Sequence, residues 1–135
     1  MNEQNSMNAS LTLDLMRNRI RIHKATLHYL GDPAYIQFLV NPEELFIAVL
    51  GLDKPLPGGT ANRVKISEKG KKNYQSVEFY SAILLNSLFA VTGPLDYRCN
   101  YYLTGEVDQI NRVAYFSLKT LKAVERKRLN GRQGV

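Results

Sequence analysis

The stretch NRIRIHKATLHYLGDPAYIQFLVNPEELFIAVL, residues 18–50, sets strand, helix, turn and strand signals in close succession in this chain of 135 residues. Ile20 and Ile22 alternate with Arg19 and Arg21, and Arg17 keeps the same phase. That period of two predicts a strand with one buried face and one basic face, exposing Arg17, Arg19 and Arg21 together. From His23 to Leu30 the spacing of Leu27 and Leu30 predicts a short helix, stopped by Gly31 and Asp32-Pro33. Tyr35 to Val40 and Leu45 to Leu50 are apolar, β-rich runs around Asn41-Pro42-Glu43-Glu44, whose turn chemistry predicts a β-hairpin.

Outward from this stretch, residues 1–10 lack sustained periodicity and read as a flexible tail, leaving residues 11–50 as a first half. Residues 51–62 contain Pro55, Pro57, Gly58 and Gly59 and read as a linker. A second half over 63–118 follows the order of the first: an apolar segment from Ser81 to Thr92, a stop at Gly93-Pro94, then hairpin strands from Tyr97 to Leu103 and Arg112 to Leu118. Superposing Gly31 on Gly93 also brings Tyr35 onto Tyr97, the register of a faint internal repeat against a chance match of generic elements. The expected fold is therefore α+β: one barrel-like or sheet-rich domain of two pseudo-repeated strand-helix-hairpin halves.

Residues 119–135 hold Lys119, Lys122, Arg126, Lys127, Arg128 and Arg132 with little apolar content, and read as a basic tail or a basic arm. The chain carries 18 basic and 12 acidic side chains, a formal charge of +6, which makes polyanions credible partners and also aids solubility. Hydrophobic residues at 44% and charged residues at 22% are those of an ordinary globular domain. Cys99 is the single cysteine, so no intramolecular disulfide forms, and a reducing, cytoplasmic setting is expected. Neither an export signal nor an apolar run of membrane-spanning length is evident, and no membrane association is expected.

His23 and His28 are five apart, which does not set two ligands on one helical face, and surface or capping roles suit them better. Cys99 alternates with tyrosines in an expected strand, which favours burial over nucleophilic use. Lys69, Lys71 and Lys72 around Gly70 read as a solvated loop, with a phosphate loop as the alternative. No residue is assigned a catalytic role, and neither a cofactor nor a metal is expected. Eight tyrosines, several in expected strands near arginines, suit either core packing or base stacking beside phosphate-holding cations.

Residues 18 to 50, with Asn18-Arg19-Ile20-Arg21-Ile22, Leu27, Leu30-Gly31, Tyr35-Ile36 to Val40 and Leu45 to Val49, resemble the swapped-hairpin domain of AbrB-type and antitoxin-type transcription regulators. The family pattern has Gly, Pro and Gly-Asp where this chain has Asn18, His23 and Asp32-Pro33-Ala34. The resemblance implies the order strand, brief helix, strand, turn, strand. It also implies a pairing of two such units, and DNA contacts from arginines near the first strand. By matching position these are Arg17, Arg19 and Arg21, with Lys24 adding charge at the helix start. The expectation is a non-enzymatic nucleic-acid-binding protein, a small transcriptional regulator contacting DNA or RNA through Arg17, Arg19, Arg21 and Lys24, with Lys119, Lys122 and Arg126 as auxiliaries. The alternative is a protein-interaction module whose positive charge is incidental; either fits a monomer or a homodimer.

Overall fold

The computed structural model describes residues 6–55, 63–66, 76–96 and 98–125. Nine strands join in one antiparallel sheet: β1 (Ser6–Asp14), β2 (Arg19–His23), β3 (Tyr35–Asn41), β4 (Phe46–Leu52), β5 (Arg63–Lys65), β6 (Ser76–Tyr80), β7 (Cys99–Asp108), β8 (Val113–Ser117) and β9 (Lys122–Glu125). Among the described residues two α-helices accompany them, α1 (Lys24–Tyr29) and α2 (Ala82–Thr92). The sheet runs β5-β3-β4-β8-β7-β1-β2-β6, with β9 alongside β7.

The fold is thus mostly β, which corrects the α+β expectation, and the two strand-helix-hairpin halves do not form separate units. Strands from both stretches interleave: β4 pairs with β8, β7 with β1, and β2 with β6. The second half of the expected flexible tail opens an inner strand of the sheet. Residues 6–10 open β1, which pairs along its whole length with β7, from Ser6 opposite Asp108 to Asp14 opposite Asn100. Leu11, Leu13 and Leu15 turn inward while Thr12 keeps the other face, so the period of two runs on through this segment. Gly51 and Leu52, expected in the linker, end β4. Residues 56–62 and the lysines at 69, 71 and 72 lie outside the described residues.

One side of the sheet packs on both helices around a shared core. Ala9, Leu11, Leu13, Ile20, Ile22, Ile36, Phe38, Ile47, Val49, Leu103, Val107, Ala114 and Phe116 meet Leu27 of α1 and Leu84, Leu85 and Leu88 of α2. Each such side chain, fully removed from water, contributes about 1.5–3 kcal/mol for the larger types. Ser81 caps α2 by accepting from Leu84 N at 3.1 Å, and its own N–H donates to Asn18 O at 3.0 Å, which fixes the helix to the β1–β2 turn. Gly31, at φ 85°, ends the α1 turn in a conformation that favours glycine.

Two hairpin turns share one chemistry. Asn41 Oδ1 accepts from Glu43 N and Glu44 N before Leu45 at φ 59°; Asp108 Oδ1 accepts from Asn111 N before Arg112 at φ 57°. Each left-handed residue then accepts a hydrogen bond from the opposite hairpin, Leu45 O from Leu118 N at 2.8 Å and Arg112 O from Gly51 N at 2.9 Å. The Arg112 guanidinium donates through Nε to Leu30 O at 2.9 Å and grips both oxygens of Asp53 at 3.0 Å, tying this corner to the end of α1.

The register of β7 explains β9. Phe116 of β8 faces Gly105, and Lys122 of β9 faces Tyr102, so six residues of the returning chain span three of β7. The excess is taken up by the 3-10 turn Leu118–Thr120. Gly105 is required at this crossing because a Cβ there would stand 1.9 Å from the Tyr115 carbonyl oxygen. Of the expected basic tail, residues 122–125 are therefore strand, while Arg126, Lys127, Arg128 and Arg132 lie outside the described residues.

Candidate nucleic-acid interface

The face of the sheet turned away from the core is ordered by cross-strand partners, which share a side of a pleated sheet. Glu78 of β6 faces Arg21 of β2; Arg21 faces Thr12 of β1; Thr12 faces Tyr102 of β7; and Tyr102 faces Lys122 of β9. The neighbouring row reads Tyr80, Arg19, Asp14, Asn100 and Val124. At the usual strand spacing, Arg21 and Lys122 stand about 14 Å apart with Tyr102 between them. Chain folding thus brings together two cations separated by a hundred residues of sequence. Tyr102 is 38% exposed and Tyr80 65% exposed.

The arginines are held by carboxylates. Arg17, in the 3-10 turn after β1, donates from NH1 to Asp14 Oδ2 at 2.9 Å. Arg19 reaches the same oxygen at 2.7 Å and Glu78 Oε1 at 3.4 Å. Arg21 meets Glu78 Oε2 through Nε and NH2, both at 2.9 Å. Burial pulls the Arg19 pKa down, but the charges of Glu78 and Asp14 and the hydrogen bond donated to Asp14 outweigh it, so the pKa rises above its ordinary value. Arg19 is a fixed cation, and its Nε is buried with no hydrogen-bond partner. Asp14 is itself only 2% exposed, so the two guanidiniums offset the cost of burying its charge.

Beside the Arg21–Lys122 row lies an open groove of about 480 Å³, lined on its polar side by Asn8, Ser10, His23, Thr26, Tyr102 and Thr104. His23 is the N-cap of α1, its Nδ1 accepting from Ala25 N at 3.2 Å. Thr26 Oγ1 accepts from Ser10 N at 3.3 Å and anchors the helix to β1. Lys24 sits between His23 and Ala25, both of which line the groove. A second depression, of about 590 Å³, shares Asn8 and Thr104 with the first and continues toward Glu44, Phe46, Glu106 and Tyr115. Phe46 and Tyr115 meet there edge to face, with ring centroids 5.8 Å apart. The second depression thus carries Glu44 and Glu106, whereas the row across β2, β1, β7 and β9 carries Arg21 and Lys122.

Of the residues expected to bind, Arg19, Arg21 and Lys122 share this face, Arg17 adjoins it from the turn after β1, and Lys24 opens α1 between the groove residues His23 and Ala25. Lys119 does not join the row: it lies in the 3-10 turn whose Thr120 lines the second depression. Arg126 lies outside the described residues. Sequence reasoning missed Asp14 and Glu78, the partners that neutralise the arginines, and the uncharged lining at Asn8, Ser10 and Thr104. Tyr101, next to Tyr102 in sequence, is 8% exposed and its hydroxyl accepts from Asp96 N at 2.9 Å.

Among the described residues no group of three or more His, Cys, Asp or Glu side chains could hold a metal ion, and no helix is long and apolar enough to cross a membrane. No family model matches the chain, and neither a curated protein nor a solved structure matches it.

Proposed function

We propose that the protein binds nucleic acid, without catalysing a reaction, through the outer face of its sheet around β1, β2, β7 and β9. The observation that carries the reading is the row Arg21–Thr12–Tyr102–Lys122, which sets two cations either side of an exposed aromatic ring. Cations hold phosphates, and a ring lying on a sheet offers a base a stacking surface. Further support comes from Arg17, Arg19 and Lys24 around the row and from the overall charge of +6. The order β2-α1-β3-β4 over residues 19–52 is that of the regulator domain this stretch resembles. A small transcriptional regulator is the corresponding role.

The experiment is a fluorescence-anisotropy titration of labelled DNA and RNA oligonucleotides at 50 and 200 mM salt. Binding that weakens steeply with salt, and falls in Arg21→Ala and Lys122→Ala, is the expected result. Absence of binding at low salt to every DNA and RNA oligonucleotide tested refutes the reading.

A second reading, a protein-interaction module, is favoured by the same carboxylates. Asp14 and Glu78 already satisfy Arg17, Arg19 and Arg21, and Met16, Tyr80, Ile83 and Val124 are exposed apolar side chains. Under that reading the two substitutions leave nucleic-acid binding absent or unaltered.

A further inference from the structure

We infer that the ligand of this face is single-stranded nucleic acid, with an unpaired base seated in the groove beside Tyr102; this rests on the nucleic-acid reading above and narrows it. A duplex is read by side chains that project from a helix or ribbon into a groove about 12 Å wide. Here Arg19 and Arg21 lie along the sheet, held at 2.7–2.9 Å by Asp14 and Glu78, and cannot project while those contacts last. The floor beside them has different chemistry. Asn8, Ser10 and Thr104 supply uncharged donors and acceptors, and Tyr102 supplies a partly exposed ring. The groove volume of about 480 Å³ lies within the range of sites that take small organic groups, and it opens to solvent on the outer face.

Charge sorts the walls from the floor. Arg21 and Lys122 flank Tyr102 along its row, and Lys24 lies in sequence between the groove residues His23 and Ala25, so cations stand next to a hydrogen-bonding floor that itself holds no Lys or Arg. Phosphates on those cations and a base on the floor describe one splayed nucleotide, the arrangement in which sheets bind unpaired bases. In a duplex the bases are stacked and paired, and none can turn outward to Tyr102 without unstacking. Glu44 and Glu106 at the far depression repel a continuing phosphate chain, so the strand is directed across β9, β7, β1 and β2 rather than along the groove toward β4.

Anisotropy with fluorescein-labelled dT12 and with the dT12·dA12 duplex, both at 50 mM salt, tests this. Wild-type protein is expected to bind dT12 at least tenfold more tightly than the duplex. Tyr102→Ala is expected to lose about tenfold on dT12 while Tyr102→Phe, which keeps the ring, retains affinity. Duplex binding as tight as, or tighter than, dT12 binding overturns the inference and leaves the broader nucleic-acid reading intact. Unchanged dT12 affinity in a folded Tyr102→Ala protein overturns it as well. If Tyr102→Ala does not fold, the wild-type comparison decides. No binding of either form overturns the inference, and the wider DNA and RNA titration at low salt then decides the nucleic-acid reading.

Discussion

Glu78 stands where an incoming phosphate would stand, and replacing it with Gln should strengthen nucleic-acid binding. Its two oxygens hold Arg19 at 3.4 Å and Arg21 at 2.9 Å. Around this face four cations, Arg17, Arg19, Arg21 and Lys122, oppose two carboxylates, Asp14 and Glu78, a local charge of +2 that Glu78→Gln raises to +3. A phosphate about 6 Å from the lost carboxylate gains about 0.7 kcal/mol at the dielectric of water, or about threefold in affinity. Counterion release gives an independent scale. One more phosphate effectively neutralised steepens the salt slope of a single strand by about 0.7, about a 2.6-fold larger change in affinity between 50 and 200 mM. Glu78 is 34% exposed on its side chain and Arg21 41%, so the pair is half-solvated and its loss costs at most about 1 kcal/mol of stability. The assay is anisotropy at both salts on wild type and Glu78→Gln, with a urea melt of each. Affinity that is unchanged or weaker in the variant, at an unchanged slope, refutes the competition between Glu78 and phosphate.

Three further predictions concern the scaffold. Leu13, 1% exposed in β1, should cost about 2–5 kcal/mol on substitution by Ala in a urea melt, whereas a residue next to a frayed tail would cost almost nothing. Arg112→Ala should lose about 2 kcal/mol, because Leu30 O forfeits a charged donor; Arg112→Gly should recover about 1 kcal/mol of that, since φ 57° costs glycine little. The Asp108 carboxyl is held below its ordinary pKa, first by the Asn111 side chain and then by its backbone N–H. The ionised form is thus favoured in the folded chain: its stabilisation is complete above the unfolded value of about 3.9 and is lost as pH falls through the lowered one. Asp108→Ala should therefore melt below wild type at pH 7, and the gap should narrow at pH 3.

The elements of residues 18–50 were legible because each combined a periodic pattern with a boundary residue. Arg19 to Ile22 alternates, Gly31 stops α1, and Asn41 begins a turn, and all three function so in the fold. Ser81 to Thr92 and the strands around Cys99 and Ala114 were legible for the same reason. The Leu11-Thr12-Leu13-Asp14-Leu15 alternation was equally available, yet the polar residues before it suggested a tail; pairing with β7 overrides weak local preference there. β9 had no local signal. Lys122 to Glu125 is a strand because the turn at Leu118–Thr120 returns the chain to the free edge of β7, a non-local effect. The same limit hid the site. Arg17, Arg19 and Arg21 could be seen as one basic face, but Glu78 reaches them only through β6, and Lys122 only through β9.

Amide chemical-shift mapping of the folded protein titrated with dT12 tests the location of binding most directly. The account predicts shifts concentrated at residues 8–12, 19–24, 100–104 and 122–124, the strands and helix start that carry Arg21, Lys24, Tyr102, Lys122 and the groove. Shifts centred on β3, β4 and β8 around Leu39, Phe46 and Tyr115, or no shifts at saturating oligonucleotide, would contradict it.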